Sequence, residues 1–210
     1  MSRVLARLLL PLLCGAILAN PAVAAGPGNA PALVAGVFDP PRMAPELALT
    51  ATDGTALQLA HYRGKVTVLA FGYSSCTEVC PVTLAVLARA RKLLGTDGPG
   101  MQVVYVTVDP ERDTVAHLKA WLNGFDPGFV GGTGTPQQLA AARASYGVAA
   151  KRNAMPNGDY SYSHSSFTLL IDRAGRLRAL MPFGHQPEDY AHDVRILLHE
   201  PAAAGASPGA

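Results

Sequence analysis

Two stretches of the chain, Lys65–Gly72 (KVTVLAFG) and Met101–Val108 (MQVVYVTV), are β-branched and almost wholly apolar, the pattern of strands covered on both faces. Between them, the segment from Pro81 (PVTLAVLARARKLLG) carries Ala and Leu at helical spacing and stops at Gly95, so a helix is expected to begin close to Cys80. Glu46–Leu59 holds two alternating stretches around Asp53-Gly54, which predicts a β-hairpin. Further helices are expected over Asp113–Asn123, with Asp113 as the N-terminal cap, and over Pro136–Ser145, ended by Gly147. Ser166–Ile171 and Arg176–Met181 read as strands joined by Asp172-Arg173-Ala174-Gly175, and Pro187–His199 as the last helix. Strands and helices that alternate in this way predict an α/β domain with a mixed central sheet flanked by helices and an N-terminal β-hairpin.

The flanks have a different character. The first 25 residues place Arg3 and Arg7 ahead of an apolar run from Leu8 to Leu18 and the small-residue pattern Ala22-Val23-Ala24, the layout of a secretory signal peptide. Pro11 breaks the run, which is short for a bilayer span, and an uncleaved N-terminal anchor is the alternative. Cys14 follows Leu12-Leu13 and is read as part of the apolar run rather than as a lipid-modified cysteine. Residues 26–45, rich in Pro, Gly and Ala, read as a linker, 46–200 as the folded domain, and 201–210 as a disordered tail. The expected location is therefore an exported one, the bacterial periplasm or its equivalent, with the domain soluble after cleavage or tethered to the inner membrane.

Loss of that segment alters two counts. The whole chain has 17 basic and 15 acidic residues, and the segment removes Arg3 and Arg7 with no acid, leaving a formally neutral protein. No basic footprint for nucleic acid is present. The three cysteines fall to two, both within Cys76-Thr77-Glu78-Val79-Cys80. One close pair in an exported chain points to metal or redox chemistry.

Cysteines four apart at the first turn of a helix face the same side, so their sulfurs can meet one ion or each other. The partial positive charge at a helix start favours the thiolate, the form that binds soft metals and attacks disulfides. Two sulfurs alone leave a metal site short of a ligand, and a neutral imidazole beside thiolates suits monovalent copper.

The motifs FGYSSCTEVCPVTL (Phe71–Leu84), VTVDPERDT (Val106–Thr114) and YSYSHSSFTLLIDRAGRL (Tyr160–Leu177) resemble, in order and separation, those of the Sco/SenC family of copper-binding assembly factors for cytochrome c oxidase. The resemblance implies a thioredoxin-like fold and a copper ion, Cu(I) or Cu(II), held by Cys76, Cys80 and His164. It also implies delivery to the dinuclear copper centre of oxidase subunit II or another copper protein, with other periplasmic copper chaperones or thiol reductants as further partners. This chain departs from the family's frequent Pro-Asp between the cysteines, where Thr77-Glu78 makes the loop less rigid. Ser163 stands before His164, where Asp is frequent. Asp109, at the end of the second apolar run, is a further candidate for a metal contact or for partner docking.

Two other chemistries use the same residues. A thiol-disulfide oxidoreductase would employ Cys76 as the attacking thiol and Cys80 as the resolving one, with no need of His164. A peroxiredoxin-like peroxidase is suggested by Thr77-Glu78-Val79-Cys80-Pro81, but Tyr73 replaces the upstream proline. His185, His192 and His199 recur every seven residues and read as a solvated helix stripe, and Met101 and Met181 as core filling.

Overall fold

The computed structural model describes residues 32–156 and 158–201. The expected export segment, the start of the linker and the tail from residue 202 lie outside the described residues.

Five of the eight strands of the main sheet build its middle. β4 (Val66–Gly72) and β5 (Met101–Thr107) are buried at every position and pair in parallel from Val66↔Met101 to Gly72↔Thr107. Helices cover such strands, which is why both run apolar without alternation. β9 (Thr168–Ile171) pairs antiparallel with β4 on its other side, β10 (Arg176–Met181) pairs antiparallel with β9, and β6 (Val130–Thr133) extends the sheet in parallel beyond β5. The hairpin of β2 (Leu49–Ala51) and β3 (Ala56–Leu57) forms one edge, and β1 (Gly36–Met43) the other, giving the order β1-β10-β9-β4-β5-β6-β2-β3. This is the mixed sheet that the sequence pattern predicted, in the thioredoxin-like form that the resemblance implied.

Helix α1 (Val79–Leu93) links β4 to β5 and packs against α4 (Pro187–His199); α2 (Val115–Asn123) packs on β6, and α3 (Pro136–Ser145) follows it. Three differences from the sequence reading have physical causes. Residues 36–43, assigned to the linker, form β1, whose Pro40 and Pro41 lie within a register shift between Val37 and Arg42. Proline lacks a ladder donor, and an irregular edge strand is where it fits. The amides of Val34 and Ala35 donate to the fully buried carboxylate of Asp193 on α4, tying this segment down. The strand β6 was not anticipated because Val130-Gly131-Gly132-Thr133 has little β propensity. Its glycines serve close packing, since a methyl on Gly131 would fall 2.6 Å from Thr52 and 2.7 Å from Leu118 of α2.

The third is a separate two-stranded ribbon of β7 (Ala150–Ala154) and β8 (Tyr160–His164), paired from Ala150↔His164 to Ala154↔Tyr160. It has no buried residue in either strand, so no apolar stripe announced it.

Candidate metal centre

The parallel pairing of β4 with β5 ends at Gly72↔Thr107, and the chain leaves β4 there into the loop that carries the cysteines. Cys76 sits in this loop, its amide donating to the Tyr73 carbonyl at 3.3 Å, and only Cys80 belongs to the first turn of α1. The sequence reading had placed both in one helical turn. Pro81 supplies no amide for the carbonyl a turn earlier, so the helix starts no sooner and the four-residue spacing is bridged by loop and helix together.

The loop is held from below by Asp113. Its fully buried carboxylate accepts from the Ser74 amide at 3.1 Å, from the Ser74 hydroxyl, and from the Thr107 hydroxyl at 2.5 Å. Ser74 Oγ also lies 3.0 Å from His117 Nε2. Asp113 is therefore not the helix cap expected of it; Thr114 fills that place, accepting from the His117 amide at 3.3 Å.

His164 ends β8, 84 residues from Cys80, and its Nε2 lies 3.4 Å from Cys80 Sγ. Its Nδ1 is 2.8 Å from the Ser165 carbonyl, an acceptor only, which assigns the proton to Nδ1 and leaves the Nε2 lone pair free. The Tyr73 ring meets the imidazole edge-on, with centroids 6.0 Å apart, and the Tyr73 hydroxyl accepts from the Tyr162 amide of β8 at 3.3 Å. Fixing the second ring nitrogen in this way orients an imidazole for a metal.

The ligand atoms of Cys76, Cys80 and His164 all lie within 4.8 Å of one another, and among the described residues no other cluster of three such groups has this geometry. Asp109 is not brought into it. Its fully buried carboxylate accepts from Arg112 Nε at 2.5 Å and from the Tyr160 hydroxyl at 2.9 Å. The Arg112 and Arg152 guanidinium groups stand over the Tyr160 ring at 3.9 and 3.5 Å, so Asp109 anchors the ribbon that presents His164. His185, His192 and His199 each face a carboxylate, of Asp189, Asp193 and Asp97, away from this cluster.

The three groups differ in electrostatics. Burial raises the half-buried Cys76 thiol, but the Cys80 and Glu78 amides, the Cys80 thiol and the Val79 amide outweigh it and hold Cys76 below the ordinary thiol value. Burial pushes Cys80 up to about 12 against the opposing Tyr105 hydroxyl and Tyr73 backbone. Burial lowers His164, opposed by its bond to Ser165, so the imidazole is neutral near pH 7. Both cysteines are reduced. The arrangement offers one thiol that ionises more readily than usual, one thiol whose proton can face the free Nε2, and a neutral imidazole. A groove of about 320 Å³ lined by Cys76, Glu78, Tyr162, Ser163 and His164 opens the cluster to the surface.

Comparison with known proteins places this geometry among relatives. The SCO1/SenC family model matches residues 38–199. An SCO2-like protein of Rickettsia felis is 33% identical over 129 residues, which cover 59% of this chain and 62% of that protein. The matched region thus spans less than two thirds of that relative's length. Among solved structures, copper-bound ScoI of Bradyrhizobium japonicum superposes with a TM-score of 0.68 at 34% identity, covering 74% of this chain and 99% of that one. Copper-bound Sco1 of yeast gives 0.69 at 27% identity, covering 78% and 92%.

Proposed function

The chain belongs to the SCO1/SenC family, and on that premise we propose that it carries one copper ion between Cys76, Cys80 and His164 and hands it to another copper protein. The observation that carries this reading is the convergence of two sulfurs and an imidazole with a free Nε2 within 4.8 Å. Soft thiolates select monovalent copper, and imidazole accommodates either oxidation state. The acceptor is the dinuclear centre of cytochrome c oxidase subunit II, an assignment supported by the oxidase-assembly role of the family.

Copper binding here is a proton exchange. Cys80 is a thiol at neutral pH, so the incoming ion displaces its proton into solvent; Cys76 gives up a proton more readily, and the neutral His164 binds through an Nε2 that carries none. Transfer follows by replacement of these ligands, one at a time, with thiolates of the acceptor that enter through the open groove. The protein works in an exported compartment, which the signal-like first 25 residues support. Among the described residues, no helix is long and apolar enough to cross a membrane.

A second reading, reduction of the acceptor's cysteines, is favoured by the inequality of the two thiols. Cys76, accessible and lowered, suits attack on a disulfide, and Cys80, buried and raised, suits resolution. Copper titration of the reduced protein tests the first reading. One equivalent should bind tightly, and Cys76→Ser, Cys80→Ser or His164→Ala should each weaken binding severely. Reductase activity that survives His164→Ala would support the second.

A further inference from the structure

Tyr105 stands on β5 with its ring packed against Trp121, centroids 5.4 Å apart, and its side chain is almost completely buried. Its hydroxyl has no aligned hydrogen-bond partner, one of two buried polar side-chain atoms in that condition among the described residues. A buried O–H without an acceptor is destabilising, so the group nearest to it matters.

The Cys80 sulfur stands beside it. Both atoms converge on Gly72 at the end of β4, where an added methyl would lie 2.1 Å from the Tyr105 oxygen and 2.7 Å from Cys80 Sγ. The backbone of Gly72 is ordinary strand, so glycine is required there for space. Phenylalanine would fill the core around Trp121 equally well; only the hydroxyl reaches the sulfur.

We propose that Tyr105 is a positioning residue of the metal site, whose hydroxyl donates a hydrogen bond to the Cys80 sulfur and holds it toward Cys76 and His164, with Gly72 leaving room for the contact. This rests on the copper reading and deepens it. In the metal-free thiol, the O–H lies beside the sulfur without being aligned on it. A thiolate, free or copper-bound, is a far better acceptor and draws the O–H into line. A donor on the sulfur withdraws electron density from it, which weakens its donation to divalent copper and favours the monovalent ion.

Tyr105→Phe removes the oxygen and keeps the ring. In a competition for monovalent copper at fixed pH, loss of the donor to the copper-bound sulfur weakens binding by about 5- to 10-fold. In the protein loaded with divalent copper, the sulfur-to-copper charge-transfer band moves to longer wavelength. A packing role alone would lower the thermal midpoint and leave the copper affinity and the charge-transfer band where they were, which overturns the proposal. Failure of the wild-type protein to take up copper would overturn the copper reading and this role with it, whereas normal uptake left unchanged by Tyr105→Phe overturns the role of Tyr105 alone.

Discussion

Cys80 Sγ and His164 Nε2 lie 3.4 Å apart, although one belongs to the first turn of α1 and the other to the end of a ribbon outside the main sheet. The contact has two supports, which are themselves joined where the Asp109 amide donates to the Thr107 hydroxyl at 2.9 Å. Asp113 fixes the cysteine loop through Ser74 and Thr107, and Asp109 fixes the ribbon through Tyr160. Each support is a buried carboxylate that touches no ligand atom.

Asp113→Ala leaves the Ser74 amide and the Thr107 hydroxyl without their acceptor. Unmet buried donors of this kind lower stability by about 1–3 kcal/mol each. Chemical denaturation of the metal-free variant should show the loss, and copper competition should show an affinity about 10- to 100-fold weaker, as for other groups that orient a metal ligand.

Asp109→Asn separates two roles for that residue. As an anchor of the ribbon, it should weaken copper binding no more than about tenfold. Tyr160→Phe should give a similar effect, and the double variant little more than either alone. Loss of a ligand signal from the copper spectrum in Asp109→Asn would instead mark Asp109 as a metal contact.

Alkylation distinguishes the thiols. With Cys76 held below the ordinary thiol value and Cys80 raised to about 12, the thiolate fraction at pH 7 belongs to Cys76. Limited iodoacetamide treatment followed by peptide mass spectrometry should find Cys76 modified first. Equal labelling of both would refute the inequality.

Apparent copper affinity should rise with pH. Cys80 binds a proton throughout the range below about 12 and must release it to the solvent, so this group alone should tighten monovalent copper by about tenfold for each unit of pH from 6 to 8. The lowered His164 adds a further loss only in acid, where its imidazole takes up a proton. Calorimetry in buffers of different ionisation enthalpy counts the protons released, and a count of zero contradicts this exchange.

The sequence made the interior legible because β4 and β5 are unbroken apolar runs and α4 has helical periodicity; Pro187–His199 was read to the residue. The three groups that meet at the candidate metal site were legible by resemblance, for nothing in the spacing of residues 76 and 164 says that they meet. What escaped has a common cause. The ribbon β7–β8 alternates Tyr with Ser on a surface with no buried face, so its period carries no burial signal. Asp113 occupies a position where a helix cap is the ordinary reading, and only the tertiary fold reveals that its carboxylate turns toward Ser74 instead. Tyr105 sits in an apolar run where its hydroxyl carries no signal until the first turn of α1 places Cys80 beside it.

X-ray absorption at the copper edge of the loaded protein tests the central assignment most directly, because sulfur and nitrogen neighbours scatter differently. Two sulfurs and one imidazole nitrogen are predicted, with the nitrogen lost in His164→Ala. A spectrum with a single sulfur, or with the same nitrogen shell after His164→Ala, would contradict the joint site of Cys76, Cys80 and His164.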